Sequence, residues 1–319
     1  SPSVYTYFPL PPGQRAVVAI HDVIAERFPE LTLPTQRARL FWRAKVGLAL
    51  RQADLVVTVS DYSATELTRV LGVPRDKLRV VQPAPADAYR DGSEAEEIAG
   101  AAARAGVPAG ARWFTYVGGF NPHKRVDRLV RAHAEVARDL AHDPPHLVLV
   151  GSTDGDVFHK NTREVREAVH ECDTRDLVHW AGYVADGELR HLHAGAIALV
   201  LVSEAEGFGL PAVEAAACGT PVIATSASPL PQILEGGGLF VEPSDDRALV
   251  RAMLALARDD GLRQTLGRKA LDAAGRLTWE HAADAALEAL HAAADRHNVT
   301  VAPVIANGRG AMASRAAPV

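Results

Sequence analysis

Short continuous runs of apolar residues alternate along the chain with longer segments in which apolar residues recur at helical spacing. The short runs predict buried strands, and the longer segments predict amphipathic helices that pack against them. The predicted strands lie at residues 16–20, 55–59, 78–81, 113–117, 146–151, 177–180, 196–202, 221–225 and 239–241. Because strands and helices alternate, the pattern predicts an α/β fold with parallel sheets.

The predicted elements fall into two series, separated by residues 84–110, which are rich in Ala, Gly, Pro and acidic residues. Such a composition is typical of an exposed connection between domains. The second series has enough strands for a complete doubly wound domain, whereas the first corresponds to the latter half of one. We therefore predict a partial N-terminal domain at 1–100, a C-terminal domain at 101–277, a helix at 278–295 that returns toward the first domain, and a disordered tail at 296–319.

The bulk composition excludes several classes of protein. A hydrophobic content of 48% is typical of a soluble globular protein, and the formal net charge of -5 offers no basic field for nucleic acid. The two cysteines lack CxxC spacing, which disfavours a zinc site or a disulfide framework and fits a reducing cytoplasm. No apolar run approaches the ~20 residues of a membrane-spanning helix. We expect a cytoplasmic protein. Contact with the inner face of a membrane stays open, although no basic amphipathic helix is evident.

The richest candidate chemistry lies between two predicted strands, where Glu206 and Glu214 bracket a Gly-X-Gly turn. Carboxylates accept hydrogen bonds from sugar hydroxyls, and glycines let backbone N–H groups approach an anion closely. A helix that begins near Leu210 and Pro211 would direct its positive end at the same place. The segment could therefore hold hydroxyls and phosphate together. The alternative is an ordinary strand–turn–helix with Glu214 on a solvated helix face.

The run from Ser203 to Thr225, with its Ala-Cys-Gly-Thr-Pro-Val sequence, resembles the nucleotide-sugar-binding signature of retaining glycosyltransferases of the GT-B fold, in the large family 4. Glu206 and Glu214 fall on the E-x7-E motif of that family. The resemblance implies two Rossmann-like doubly wound domains that face a cleft. It covers nearly all of residues 17–295, and we expect the first domain to be incomplete, without the family's opening strands and glycine-rich first loop.

A second candidate site is the sequence Val-Gly-Gly-Phe-Asn-Pro-His-Lys, which follows the strand predicted at 113–117. A lysine at the carboxyl edge of a sheet can place a charge beside a diphosphate, although an isolated lysine near a helix start is more often a surface residue. The resemblance implies a diphosphate role for Lys124, which matches the lysine of the family's Gly-Arg-x-x-x-x-Lys pattern. Gly119 occupies the arginine position, and the candidate replacements His123 and Arg125 are out of register.

The remaining candidates lie at other strand ends. His21 ends the first predicted strand, and it either contacts the donor sugar, as the resemblance implies, or is satisfied by a backbone carbonyl. Tyr183 and Val184 follow another strand, at a turn that the resemblance places beside the nucleobase. Helix capping explains the serines Ser60 and Ser63, which are left out of the predicted site.

The resemblance implies transfer of a hexose, mannose or glucose by family frequency, from a GDP- or UDP-linked sugar with retention of configuration. The acceptor would be a glycan, a lipid-linked molecule or a small molecule. The implied catalytic residues are His21, Lys124 and Glu206, and the implied donor-binding residues are Lys124, Tyr183, Val184, Glu206, Gly207, Phe208, Gly209, Leu210 and Glu214.

In the implied mechanism, Lys124 and the N–H groups at 207–210 neutralise the diphosphate leaving group. Glu214 accepts hydrogen bonds from the ribose hydroxyls, and Glu206 accepts one from a donor-sugar hydroxyl. His21 completes the site from the other domain when the cleft closes.

No metal or other cofactor is expected, because the acidic loop with Asp154, Asp156 and His159 is more typical of a solvated surface than of a metal site. Two alternative functions stay open. One is a GT-B sugar epimerase, and the other is a remnant that binds a nucleotide sugar without transferring it. A phosphorylase is disfavoured, because no lysine is a convincing attachment residue for pyridoxal phosphate.

Overall fold

The computed structural model describes residues 1–11, 13–152 and 161–295. Within these ranges all nine predicted strands are present, and they form two parallel sheets as the sequence predicts. The predicted and observed lengths differ most for the strand at 196–202, where only Leu199–Leu201 forms a strand. The predicted tail at 296–319 and the acidic loop with Asp154, Asp156 and His159 lie outside the described residues.

The first sheet has three strands in the order β1 (Val17–Ala19), β2 (Leu55–Thr58) and β3 (Leu78–Val80). Between β1 and β2 the chain forms α1 (Ile24–Arg27), α2 (Pro29–Thr32) and α3 (Gln36–Gln52), and α4 (Asp61–Leu71) connects β2 to β3. From the sequence, Phe28-Pro29 and Pro34 predict a loop before α3, but the segment contains the two short helices α1 and α2. That prediction was wrong because proline suits the first position of a helix, where Pro29 begins α2.

The second sheet has six parallel strands in the order β6–β5–β4–β7–β8–β9. The strands are β4 (Trp113–Val117), β5 (His146–Val150), β6 (Val178–Gly182), β7 (Leu199–Leu201), β8 (Val222–Thr225) and β9 (Gly238–Val241). The strand order reverses between β4 and β7, which are neighbours in the sheet. In an open parallel sheet, the loops after two such strands diverge and leave a crevice that can hold a ligand.

Helices cover both faces of the second sheet. They are α5 (Ala95–Arg104), α6 (Val126–Asp139), α7 (Thr162–Glu171), α8 (Asp186–Ala194), α9 (Leu210–Ala217), α10 (Leu230–Ile233), α11 (Asp246–Arg258) and α12 (Asp260–Ala274). Inner strands such as β5 and β8 are buried on both sides, so they carry largely apolar sequences, whereas the edge strands β6 and β9 are half-buried. One apolar cluster extends through this sheet and its helices, and a second, smaller cluster fills the first domain.

The last described helix, α13 (Trp279–Asp295), follows the second domain in sequence and packs against the three strands of the first. The guanidinium of Arg15 donates a hydrogen bond to the carbonyl oxygen of Ala293, at 3.1 Å. The chain therefore passes between the two sheets twice. No helix within the described ranges combines the length and apolar character needed to cross a bilayer.

Candidate functional site

The crevice between β4 and β7 brings together two of the predicted site residues. Lys124 lies in the turn after β4, and Glu206 lies in the turn after β7. The Nζ atom of Lys124 is 2.8 Å from Oε1 and 3.1 Å from Oε2 of Glu206. The hydroxyl of Ser203 donates to Oε1 of the same carboxylate, at 2.5 Å. The two turns are also joined through their backbones, because the N–H of Glu204 donates to the carbonyl of His123 at 2.8 Å.

Glu206 is buried and charged. Burial alone would raise the pKa of its carboxyl group, but the ammonium of Lys124 and the hydroxyl of Ser203 together hold that pKa below its ordinary value. The neighbouring His123 responds in the opposite direction, since burial and the charge of Lys124 lower the pKa of its imidazole to about 4. At neutral pH the Lys124–Glu206 ion pair therefore lies beside a neutral histidine.

The donor turn, residues 206–210, has the backbone geometry that an anion site needs. Gly209 has φ of +85°, a left-handed conformation that favours glycine, and a Cβ atom there would lie 2.8 Å from Cδ1 of Leu230. Leu210 begins α9 directly after it, as the sequence predicts. Among the described residues, no group accepts a hydrogen bond from the backbone N–H of Gly207, Phe208 or Gly209. These donors, together with the N-terminus of α9, can receive an anion.

Phe208 contributes to the candidate site through its backbone alone. Its ring is buried and belongs to the apolar cluster of the second domain. The ring therefore anchors the donor turn while its N–H stays unpaired within the described part of the chain.

The first domain contacts the donor turn through residues that sequence analysis left out. The hydroxyls of Ser60 and Ser63 both donate to the carbonyl oxygen of Gly207, at 2.7 and 2.9 Å. Ser60 does cap α4, as predicted, because its Oγ also accepts from the N–H of Ser63 at 3.0 Å. Capping accounts for only part of what these residues do. The available sequence signal was two serines three positions apart at a strand's carboxyl end, which places both on one helix face.

The ring of His21 is not part of the cluster that Lys124, Glu206 and Ser203 form. Its Nε2 lies 3.1 Å from the carbonyl oxygen of Pro2, and the side chain is exposed. This contact corresponds to the alternative in which a backbone carbonyl satisfies the histidine. The next residue, Asp22, points toward the cluster instead. Burial raises the pKa of the Asp22 carboxyl group, Glu206 raises it further, and Lys124 lowers it. Sequence analysis did not include Asp22.

A cavity of about 280 Å³ opens between the two domains beside this cluster. The first domain supplies apolar walls, including Leu31, Leu33 and Trp42, and it also supplies Asp22. The second domain supplies Lys124 with its neighbours in the turn after β4. The cavity therefore joins an apolar surface to the charged end of the crevice, an arrangement that is typical of a small-molecule site.

Glu214 lies on α9, at the other end of the predicted motif. Burial and the nearby carboxylate of Asp186 raise the pKa of Glu214 to about 7. Asp186 itself accepts a hydrogen bond from the hydroxyl of Tyr89, at 2.9 Å. Within the described residues Glu214 has no hydrogen bond and no ion pair, so its oxygens are available to hydroxyl donors.

Tyr183 and Val184 lie apart from the ion pair. They follow β6, which is separated from β4 by β5 in the sheet. Both residues line a different cavity of about 230 Å³, with Arg104 and Glu188, and the side chain of Tyr183 is 81% exposed. The structure therefore does not bring these two candidates together with Lys124 and Glu206.

Neither candidate replacement for the cation at position 119 carries a free charge at this site. The guanidinium of Arg125 forms an ion pair with Glu204, at 2.5 Å. His123 is neutral at ordinary pH, because its pKa is about 4. The carbonyl oxygen of Gly119 accepts a hydrogen bond from the hydroxyl of Tyr116, at 2.5 Å. The described residues also contain no group of three or more His, Cys, Asp or Glu side chains placed to hold a metal ion.

Two family models match the sequence, one described as glycosyl transferases group 1 over residues 102–272, and one as glycosyltransferase family 4 over residues 2–84. O-antigen chain mannosyltransferase B of Escherichia coli is 29% identical over 269 residues, which cover 84% of this chain and 68% of that protein. D-inositol 3-phosphate glycosyltransferase of Saccharomonospora viridis is 30% identical over 259 residues, which cover 80% of this chain and 58% of that protein. The chain thus spans little more than half the length of the second relative.

Solved structures are similar over most of the chain. Sucrose-phosphate synthase from Thermosynechococcus elongatus has a TM-score of 0.71 at 25% identity, covering 89% of this chain and 68% of that one. HepE of Anabaena, solved in complex with UDP and glucose, has a TM-score of 0.71 at 23% identity, covering 86% of this chain and 71% of that one. These likenesses confirm the GT-B fold that the sequence predicts.

Proposed function

The chain belongs to the glycosyl transferases group 1 family, and from that premise we propose that it transfers a hexose from a nucleoside-diphosphate sugar to an acceptor hydroxyl. One observation carries the proposal. The Lys124–Glu206 ion pair lies at the topological switch point of the second sheet, beside a turn whose N–H groups have no acceptor among the described residues. A diphosphate needs a cation and N–H donors, and a sugar needs a carboxylate acceptor.

In the proposed donor complex, Lys124 contacts the diphosphate and Glu206 together. The N–H groups of the donor turn and the N-terminus of α9 share the remaining negative charge. Glu206, already held by Ser203, accepts a hydrogen bond from a hydroxyl of the donor sugar. Glu214 accepts hydrogen bonds from the ribose hydroxyls, and its free oxygens support that role.

We propose that transfer proceeds with retention and without a covalent sugar–enzyme intermediate. The bond between the sugar's anomeric carbon and the diphosphate oxygen breaks, and the acceptor oxygen bonds to that carbon on the same face. The acceptor proton passes to the departing diphosphate. What supports this proposal is that Glu206, the carboxylate beside the lysine, is engaged by Lys124 and Ser203 and is therefore a poor nucleophile. The proposed contact of His21 with the donor sugar requires the hydrogen bond between its ring and the carbonyl oxygen of Pro2 to break.

Mannose and glucose are the proposed sugars, and GDP or UDP the proposed carriers. The support is the name of one relative, a mannosyltransferase, and the complex of one structural neighbour with UDP and glucose. The proposed acceptor side is the cavity between the domains, whose apolar walls would suit an acceptor that carries an apolar group beside its hydroxyl. Tyr183 and Val184 stay as candidates for contact with the nucleobase.

We also propose contact with an anionic membrane surface through α3. The sequence pattern alone shows no basic amphipathic helix, and the proposal is supported instead by the cations and exposed apolar residues of α3. This helix carries four arginines and one lysine and no acidic residue. Leu40 and Phe41 are 72% and 68% exposed on it, Arg37 and Arg43 are exposed within about one turn of them, and Arg51 is exposed in the last turn. Exposed apolar side chains flanked by cations suit the interface of an anionic lipid bilayer.

The test of the enzymatic proposal begins with thermal unfolding of the protein in GDP, UDP and ADP. The nucleotide that raises the melting temperature is then supplied as its mannose and glucose conjugates, with simple glycoside and lipid-linked acceptors. A new glycoside with retained configuration supports the proposal. Isomerisation of the donor sugar without an acceptor product would indicate an epimerase instead. Binding without any chemistry would indicate a nucleotide-sugar-binding protein, and no binding would remove the donor site.

A further inference from the structure

The carbonyl oxygen of Gly207, in the donor turn of the second domain, is held by two hydrogen bonds from the first domain. It accepts hydrogen bonds from the hydroxyls of Ser60 and Ser63, which we call the serine pair. Both serines are at least 97% buried, at 3% and 1% relative exposure. The contact therefore lies inside the interface between the domains, where a lost hydrogen bond leaves a buried carbonyl unsatisfied.

Hydrogen bonding within α4 does not explain this arrangement. A hydroxyl inside a helix usually donates to the carbonyl four residues earlier, and Thr65 and Thr68 of the same helix both do so. Ser63 instead directs its hydroxyl across to the second domain. The cap at Ser60 uses its oxygen as an acceptor and leaves its proton for Gly207.

Holding the carbonyl of Gly207 also fixes the next N–H group. In a planar trans peptide the C=O and N–H bonds point in opposite directions. With the Gly207 oxygen turned toward the serine pair, the N–H of Phe208 is turned away from the first domain. No described residue accepts from that N–H. The ring of Phe208 is fixed in the core, so this peptide has little freedom to rotate unless the serine pair releases it.

The first domain also contacts Gly207 sterically. A Cβ atom at this position would lie 2.8 Å from Cβ of Asp22 and 3.0 Å from the carbonyl oxygen of His21. The glycine thus lets the end of β1 and the start of α4 reach the donor turn at one point. The backbone geometry of the donor turn therefore depends on contacts from both domains.

We propose that Ser60 and Ser63 are positioning residues that orient the Gly207–Phe208 peptide, so that the N–H of Phe208 binds the distal phosphate of a nucleoside diphosphate. This inference rests on the proposed function. Its consequence is that part of the phosphate site forms only when the first domain lies against the second. Affinity for the diphosphate is then coupled to domain closure, whereas affinity for the nucleoside monophosphate is not.

Two variants separate this role from helix capping. Ser63→Ala removes one hydroxyl and leaves the Ser60 cap in place. Ser60→Asp keeps an equally good cap, but it places an acceptor instead of a donor against the Gly207 carbonyl. Ser60→Thr keeps both the cap and the hydroxyl and is the rescue variant. Thr65→Ala is the matched control, because it removes a hydroxyl from the same helix that bonds only to Asp61.

The measurement is calorimetric affinity for UDP or GDP, whichever the wild-type protein binds, and for the corresponding monophosphate. We expect Ser63→Ala to weaken diphosphate binding by about 3- to 10-fold, the effect of one net hydrogen bond, and Ser60→Asp to weaken it more. Monophosphate affinity should stay within about twofold for both, and Ser60→Thr and Thr65→Ala should bind like wild type.

Equal diphosphate affinity in wild type and Ser63→Ala would overturn the proposal, and so would an equal loss for mono- and diphosphate. Ser63→Ala decides the question even where Ser60→Asp fails to fold. If wild type binds neither diphosphate, the proposed function falls together with this inference. If wild type binds the diphosphate and the serine variants bind it equally well, only the proposed role of the serine pair is overturned.

Discussion

Lys124 and Glu206 form a buried ion pair between the ends of two neighbouring strands, with 2.8 Å between Nζ and Oε1, although they are 82 residues apart in sequence. Each residue is the charged partner of the other. The lysine remains 22% exposed and can reach a ligand on its open side, whereas the carboxylate is 9% exposed. The pair therefore places one charge of each sign in the crevice, with the cation open to a ligand.

Removing Lys124 should destabilise the protein. Lys124→Ala leaves the Glu206 carboxylate buried without its cation, at a cost of about 3 kcal/mol. The double variant Lys124→Met with Glu206→Gln should recover most of this loss, because no buried charge remains. Urea unfolding measures both, with the exposed Lys269→Ala as a control expected within about 0.5 kcal/mol of wild type. Equal stability of Lys124→Ala and wild type would contradict the importance of the pair.

Glu206→Gln should reduce turnover far more than nucleotide affinity. The amide keeps the shape of the side chain but loses the charge that receives a sugar hydroxyl, so we expect a loss of about 10- to 1000-fold in kcat. Affinity for the nucleotide alone should change by less than about threefold, because Glu206 contacts the sugar in the proposed complex. Steady-state kinetics with calorimetry checks this. Glu204→Gln, which removes a neighbouring ion pair with Arg125, is the matched control.

The titration of the Glu214 carboxyl group predicts how nucleotide affinity depends on pH. Burial and Asp186 raise the pKa of its carboxyl group to about 7, so near neutrality about half of the free protein carries the protonated acid. Ribose hydroxyls donate to the carboxylate, so bound nucleotide favours the deprotonated form and lowers that pKa. Affinity should therefore rise between pH 6 and 8 and level off above about 8.

Glu214→Gln supplies the control for this pH profile. The amide does not titrate, so any change that remains in the variant comes from other groups, such as the phosphates of the nucleotide and the carboxyl group of Asp22. We expect the variant to bind about 1–3 kcal/mol more weakly at pH 8 than wild type. Calorimetry at five pH values checks both statements. A wild-type profile that parallels that of the variant would remove Glu214 from the ribose site.

The exposed face of α3 should bind anionic vesicles. We expect sedimentation with vesicles of phosphatidylglycerol and phosphatidylcholine, and not with phosphatidylcholine alone, since each arginine near an anionic surface contributes about 1 kcal/mol. Leu40→Ser with Phe41→Ser should abolish sedimentation. The matched control is Leu287→Ser with Leu290→Ser, which alters a comparably exposed apolar pair on α13, a helix without lysine or arginine. Loss of binding in the control would argue for non-specific association.

The sequence predicted the sheets well, because strands buried on both faces must be apolar throughout. The runs at 146–151 and 221–225 show this, and both are strands of the second sheet. The interior of the segment between β1 and α3 was harder to predict. Its two short helices depend on packing, since neither Ile24–Arg27 nor Pro29–Thr32 is long enough to produce a periodic pattern.

The candidate site was predictable where it depended on local sequence and not where it depended on contact between domains. Gly209 and the start of α9 follow from the order of residues along one turn. The hydrogen bonds from Ser60 and Ser63 to Gly207 do not, because capping of α4 already gave the serines a sufficient local reason. Asp22 was missed for a similar cause, since the groups it faces, Lys124, Glu206 and the backbone of Gly207, belong to the second domain.

Helix α13 has a mechanical consequence. The chain enters the second domain before β4 and leaves it again to place α13 on the first sheet. Two segments of the chain therefore join the halves of the molecule. A single flexible tether would let one half swivel freely, whereas two tethers confine their motion to rocking about the line that joins the crossings. Proteolysis of either crossing alone would leave the halves bound, through the other tether and the interface.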